Sequence, residues 1–303
     1  MVKKILKITA FLLVLALVLF AAQKILMPKY VSEAVDGRLI AEYYDSAKNH
    51  DVIFVGDCEV YENISPITLW QEYGITSYVR GSAQQLIWQS YYLLEETLKR
   101  ESPKAVVFNV LAIKYGKPQN EAYNRMTLDG MKWSSSKIGA IMASMTEEES
   151  FVDYVFPLLR FHSRITEIGA DDFRYFFERP KVSHSGYLMQ KGIEPMENTE
   201  TEEGRELLDY TLPETSMEYL EKMRLLCEEK GSKLVLVKAP TNSSRYWWHD
   251  EWEDEIVSYA NKNKLSYYNF IPFCEEMGID WATDTYDKGE HLNVYGAEKY
   301  TKY

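Results

Sequence analysis

The chain has 303 residues, 46% hydrophobic and 26% charged, which excludes both a disordered chain and a polytopic membrane protein. Its formal net charge is −12. Five of the 34 basic residues fall in the first 30 positions, so residues 31–303 carry 29 bases against 46 acids. That surplus argues against nucleic acid, and against any anionic polymer held by charge, as a partner. The three cysteines, Cys58, Cys227 and Cys274, form no disulfide framework, and no C-x-x-C or His/Cys cluster has zinc spacing. No metal and no organic cofactor is expected.

Residues 1–30 contain Lys3, Lys4, Lys7, Lys24 and Lys29 and no acid, with 16 uncharged residues from Ile8 to Gln23. Such a stretch is a signal peptide or a short anchor. Phe20 before Ala21-Ala22-Gln23 makes a poor cleavage site, which favours an uncleaved signal anchor over residues 1–30. Lysines ahead of the span stay in the cytoplasm, placing the single domain of residues 31–303 outside a cell membrane crossed once.

Ser32 to Lys48 reads as a connecting helix. Asp51 to Gly56 is a first strand ending in Gly56-Asp57-Cys58. A helix follows to Tyr73, with Ser65-Pro66 as a start signal and Gly74 as its stop. Thr76 to Val79 is a short second strand before Arg80-Gly81-Ser82. Ser82 to Arg100 has helical periodicity in Leu86, Tyr91, Leu94 and Leu98. Lys104 to Leu111 is a continuous apolar run, the pattern of a strand buried on both faces.

This β-α-β-α-β rhythm is then interrupted. Residues 112–215 contain no clear strand, a polar loop at Asn120 to Asn124, helices at Lys137 to Met145, Phe151 to Arg164 and Asp171 to Phe177, and a Glu/Thr-rich turn at Glu197 to Gly204. An insertion of this length on an α/β core shapes a substrate site or a partner surface. Its His162 and His184 read as surface or satisfied histidines. The rhythm resumes with a helix from Ser216 to Lys230 capped by Gly231, a strand from Lys233 to Lys238, a helix from Asp250 to Asn261 and a strand from Leu265 to Phe270. The expected fold is a three-layer α/β/α sandwich on a five-stranded, mainly parallel sheet.

A small nucleophile after the first strand and Asp and His after the last give the chain order Cys58, Asp287 or Asp284, His291. That order suits a nucleophile–base–acid relay in which Cys replaces Ser. No G-x-S-x-G elbow occurs. Gly56-Asp57-Cys58, Gly81, Asn109 and His291-Leu292-Asn293 together resemble, in order, the blocks of the SGNH (GDSL-like) hydrolases. The resemblance covers roughly residues 50–110 and 216–303 and is nearest to the membrane-anchored branch that works beside membrane-bound O-acyltransferases on cell-surface polymers.

The resemblance implies an extracytoplasmic acyl-ester hydrolase or O-acyltransferase acting on a surface glycan. Cys58 is its nucleophile and His291 its base, with Gly81 and Asn109 holding the oxyanion. The sequence departs from the family at the nucleophile and at Lys288, which stands where the orienting Asp is usual, three residues before the His; Asp287 and Asp284 are the candidates. Asp57 and Lys238, at the same sheet edge, join the candidate substrate-binding set. Tyr246-Trp247-Trp248-His249 follows on that edge, with sugar stacking and loop packing as equal readings. Asp57, Glu59 and Glu62 around the thiol oppose thiolate formation. They support the alternative of an inactive SGNH-like module that binds a glycan or partners a membrane-bound O-acyltransferase.

Overall fold

A computed structural model describes residues 1–28, 30–31, 34–35, 37–118, 120–178, 181–195, 211–242 and 250–303. Five strands form one sheet: β1 (Val52–Gly56), β2 (Ser77–Gly81), β3 (Ala105–Asn109), β4 (Lys233–Lys238) and β5 (Ser266–Asn269). They are all parallel, in the order β2-β1-β3-β4-β5. The order reverses at β1, so the carboxyl ends of β1 and β3 border the crevice where open α/β sheets place their ligands. The expected fold class is therefore the observed one.

The pleat sorts side chains into two cores. Ile53, Val55, Val106 and Phe108 pack with Leu94, Leu98, Met223, Cys227 and Ile256. Those partners lie on three helices: Ile87–Leu98, Glu214–Lys230 and Asp250–Asn263. On the other face Phe54 and Val79 meet Val60, Tyr61, Leu292, Ala297 and Tyr300. The last two lie on the helix Val294–Lys302, whose N-cap Asn293 accepts from the Tyr295 and Gly296 amides.

Local chemistry explains most boundaries. Ser65 accepts from the Thr68 amide, Pro66 opens its helix, and Gly74 and Gly231 end theirs in the left-handed conformation. Several expectations need correction. Among its described residues the connecting segment forms a short strand, Ala34–Val35, antiparallel to Tyr30–Val31, then a short helix, Arg38–Ala41, and a 3-10 turn, Glu42–Asp45. The polar stretch after Asn120 is a helix, Glu121–Leu128, because the Asn120 side chain caps the Ala122 amide. The single helix expected from Phe151 to Arg164 breaks at Pro157 into Phe151–Val155 and Pro157–Phe161, since proline offers no amide to the preceding turn. The Glu/Thr-rich turn at 197–204 lies outside the described residues.

The N-terminal helix α1 (Val2–Leu26) is long and apolar enough to cross a membrane and is exposed along its apolar length. It is compatible with a signal sequence or an anchor.

Candidate active site

Cys58 stands at the carboxyl edge of β1 as the first residue of a short helix, Cys58–Tyr61. Gly56 makes this turn possible. A Cβ there would lie 2.4 Å from Val60 Cγ2 and 3.1 Å from Asn109 Cβ. As the first helical residue, Cys58 has an amide hydrogen without an intrahelical acceptor. Gly81 pairs in register with Gly56, and a Cβ on it would sit 3.0 Å from the Gly56 carbonyl oxygen. Its lack of a side chain is what lets β2 close against the turn.

His291 arrives from the far end of the chain. Leu292 pairs with Thr285 in an isolated antiparallel bridge, closing a loop around Lys288 (φ 64°) and Gly289 (φ 93°). The Thr285 hydroxyl accepts from the Gly289 amide at 2.8 Å. This tight turn folds Asp287 back onto the histidine four residues later. Asp287 Oδ2 lies 2.5 Å from His291 Nδ1, and Asp287 Oδ1 accepts from the His291 amide at 2.8 Å. With Nδ1 engaged by Asp287, Nε2 is the nitrogen left to face the thiol, and Cys58 and His291 are near enough for each to shift the other's titration.

Of the two candidate acids, then, Asp287 is the one beside His291. Asp284 is buried and points elsewhere: Oδ2 accepts from Lys299 Nζ at 2.6 Å and from the Asp280 amide at 2.8 Å. The loop is held by buried Asn63, whose Oδ1 accepts from the Leu292 amide at 2.9 Å. It is held also by the insertion: the Val294 amide donates to the Gln190 carbonyl and the Lys288 amide to the Glu194 carbonyl. Residues 190–194 thus form one wall of the site.

Three of the residues assigned to the oxyanion and substrate set are committed inside the protein. Lys238 is fully buried and donates to both Glu59 oxygens at 2.8 Å and to the Ala239 carbonyl at 2.9 Å. Asn109 donates its side-chain amide to Glu59 Oε2 at 2.9 Å and Asp57 Oδ1 at 3.2 Å, and its Oδ1 accepts from the Ala239 amide. Asp57 caps the Glu59 amide at 3.1 Å. Their position at the sheet edge suggested the solvent side; the buried carboxylates beneath Cys58 take them instead, because a buried charge needs hydrogen-bonding partners.

Two side chains given no catalytic role in the sequence reading stand at the site. Glu62 is buried, and its Oε2 lies 3.5 Å from His291 Nδ1 with no hydrogen-bond partner among the described residues. Tyr286 stacks on the His291 ring, centroids 6.2 Å apart, and its hydroxyl interacts with Glu62. Glu62 lies one helical turn after Cys58, a spacing that could have signalled it; Tyr286 carried no such signal.

Burial pushes the Cys58 thiol up and His291 opposes the push, while Asp57 and Glu62 add to it. Burial works against a charged His291, but Cys58, Asp287 and Glu62 outweigh it and hold the imidazole well above its usual range. Burial likewise raises Glu62. The pair therefore keeps its protons to higher pH than free Cys and His would.

Asp287, Glu290 and His291 offer donor atoms within 4.8 Å of one another, as a cation requires. A metal there would have to displace the Asp287–His291 hydrogen bond. His162 is exposed, with Nδ1 2.8 Å from the Leu159 carbonyl oxygen, and His184 is exposed in a bridge to Tyr187. Cys227 and Cys274 are free thiols raised by burial to about 12 and about 11. The Tyr246-Trp247-Trp248-His249 run lies outside the described residues. A cavity of about 420 Å³, lined by Arg38, His50, Tyr78 and Lys181, sits at the amino-terminal edge of the sheet, remote from Cys58.

No family model matches the chain, and no curated protein matches its sequence. Among solved structures, a "putative acylhydrolase" of Bacteroides fragilis NCTC 9343 is similar, with 12% identity, a TM-score of 0.40 and coverage of 86% of this chain and 90% of its own. A GDSL-like lipase of Bacteroides thetaiotaomicron VPI-5482 shows 14% identity, a TM-score of 0.39 and coverage of 88% and 92%.

Proposed function

We propose that the protein is an extracytoplasmic acyl-ester enzyme of SGNH type, an esterase or O-acyltransferase acting on a cell-surface glycan. What supports the reading is the His291–Asp287 pair beside Cys58 at the carboxyl edge of the sheet, from segments more than two hundred residues apart in sequence. In the reaction, Cys58 Sγ attacks the ester carbonyl carbon while His291 Nε2 takes the thiol proton. The carbon–oxygen bond breaks, the departing alcohol receives that proton, and a thioester remains on Cys58. Water or a sugar hydroxyl then attacks the thioester, giving its proton to His291. The carbon–sulfur bond breaks and the proton returns to the thiol. Asp287 holds the imidazole tautomer and stabilises its charged form.

The test compares hydrolysis of a chromogenic acetyl ester by the wild type, Cys58→Ser, Cys58→Ala and His291→Ala. The expected result is turnover by the first two and loss by about a thousandfold or more in the alanine variants. Turnover indifferent to Cys58→Ala overturns the relay.

One observation favours the second reading, an inactive module that binds a glycan or partners a membrane-bound O-acyltransferase: burial, with Asp57 and Glu62 adding to it, pushes the Cys58 thiol up and so opposes the thiolate. Silence of the wild type from neutral to alkaline pH, joined to saturable glycan binding, would establish it.

A further inference from the structure

We infer that the helical insertion is itself a membrane-contacting surface, seated in the interface of a phospholipid bilayer beside α1. The inference rests on α1 being a retained anchor and adds a second, peripheral attachment.

Three observations converge. First, residues 2–20 of α1 are exposed throughout, whereas residues 21–28, apart from Lys24, are covered at least in part by the rest of the protein. With Lys3, Lys4 and Lys7 on the cytoplasmic side, the uncharged run from Ile8 to Gln23 rises about 24 Å as a helix and spans most of a hydrocarbon core. The outer bilayer surface thus falls near Gln23 and Lys24, where the covering by the rest of the protein begins.

Second, what covers α1 there is the insertion. The segments Pro157–Phe161, His162–Thr166 and Ala170–Phe177 pack on α1, and Arg164 Nη1 donates to the Leu26 carbonyl at 2.7 Å. Third, these segments and the residue before them display large apolar side chains to the outside: Phe177 at 82% exposure, Ile165 at 68%, Phe156 and Leu159 at 57% and Phe173 at 51%. Elsewhere on a soluble surface such a concentration is disfavoured, but at the bilayer interface aromatic and aliphatic side chains are stabilised.

The charges identify the occupant more narrowly. Arg160 pairs with Glu121 at 2.7 Å, Arg164 with Asp172 at 3.3 Å and Arg174 with Asp171 at 3.1 Å. Among the described residues these arginines are all paired with acids, so the surface presents no block of unneutralised bases for anionic headgroups. Its attachment is apolar insertion, which a zwitterionic bilayer supports.

The experiment places a photo-crosslinking residue in the full chain, reconstituted into phosphatidylcholine nanodiscs, by Phe177→p-benzoylphenylalanine or Phe156→p-benzoylphenylalanine. Leu13→p-benzoylphenylalanine reports the anchor, and Trp70→p-benzoylphenylalanine, at an exposed site in another part of the fold, reports background. After irradiation, mass spectrometry reads the adduct. The expected result is a phospholipid adduct at positions 177 and 156 at least about tenfold above that at position 70. Lipid adducts at position 13 alone overturn the proposal and leave the anchor standing. No lipid adduct at position 13 removes the anchor and the proposal together. Protein–protein adducts at 177 and 156 overturn it by showing that another chain covers the surface.

Discussion

Glu59 and Glu62 stand three residues apart and both are buried, yet their surroundings differ. Glu59 receives two contacts from Lys238 and one from Asn109. Beneath Cys58 the Glu59 charge is met by Lys238 and Asn109, which makes that contact a fixed floor. Glu62 has one oxygen without a hydrogen-bond partner among the described residues, 3.5 Å from an imidazole that Asp287 already holds. A buried carboxylate left short of partners beside a titrating ring is costly to stability. Such sites are where function is found. The difference separates support from chemistry among acids that look alike in sequence.

The strongest way to break that contrast acts on the floor. Lys238→Met leaves Glu59 buried without its cation, and a loss of about 3–5 kcal/mol in denaturant unfolding is expected. A change below about 1 kcal/mol would show that the floor is not fixed by this pair. On the other side of the contrast, Asp287→Asn keeps the shape of the orienting group but removes its charge. A fall in kcat/KM of about a hundredfold to ten-thousandfold is expected, with little change in unfolding midpoint. An Asp284→Asn variant with the larger kinetic effect would reverse the assignment.

A pH profile sharpens the comparison further. Because Cys58 and His291 are both held above their usual values, the rate of the wild type should climb through a limb on the alkaline side of the ordinary histidine range. Glu62→Gln removes a negative neighbour, so protons leave more readily and the limb moves to lower pH. Glu59→Gln, partly shielded by Lys238, should move it less. Equal displacement by the two would dissolve the distinction. The smallest effect expected is in stability: Glu62→Gln keeps the size and shape of a side chain whose Oε2 has no hydrogen-bond partner among the described residues, and should change unfolding by less than about 1 kcal/mol.

Much of the architecture was legible because it depends on neighbours in sequence. Continuous apolar runs gave the strands Lys233–Lys238 and Ala105–Asn109, and the pairs Ser65-Pro66 and Gly231 marked helix ends, since caps and periodicity act over a few residues. The order of Cys58 before Asp and His was equally plain.

Partner choice was not legible. The sequence by itself determined the alternation of strands and helices, the apolar N-terminal segment and the thiol at the end of β1. Tertiary structure decided that Asp287 turns back to His291 while Asp284 goes to Lys299. It also decided that Asn109 and Lys238 face inward to Glu59, and that Glu62 and Tyr286 flank the imidazole. The physical reason is one of range. Helix and strand formation is settled within a turn or a pleat. The partner of a buried charge is whichever oppositely charged or hydrogen-bonding group the fold brings within about 3 Å, and that group can lie anywhere along the chain.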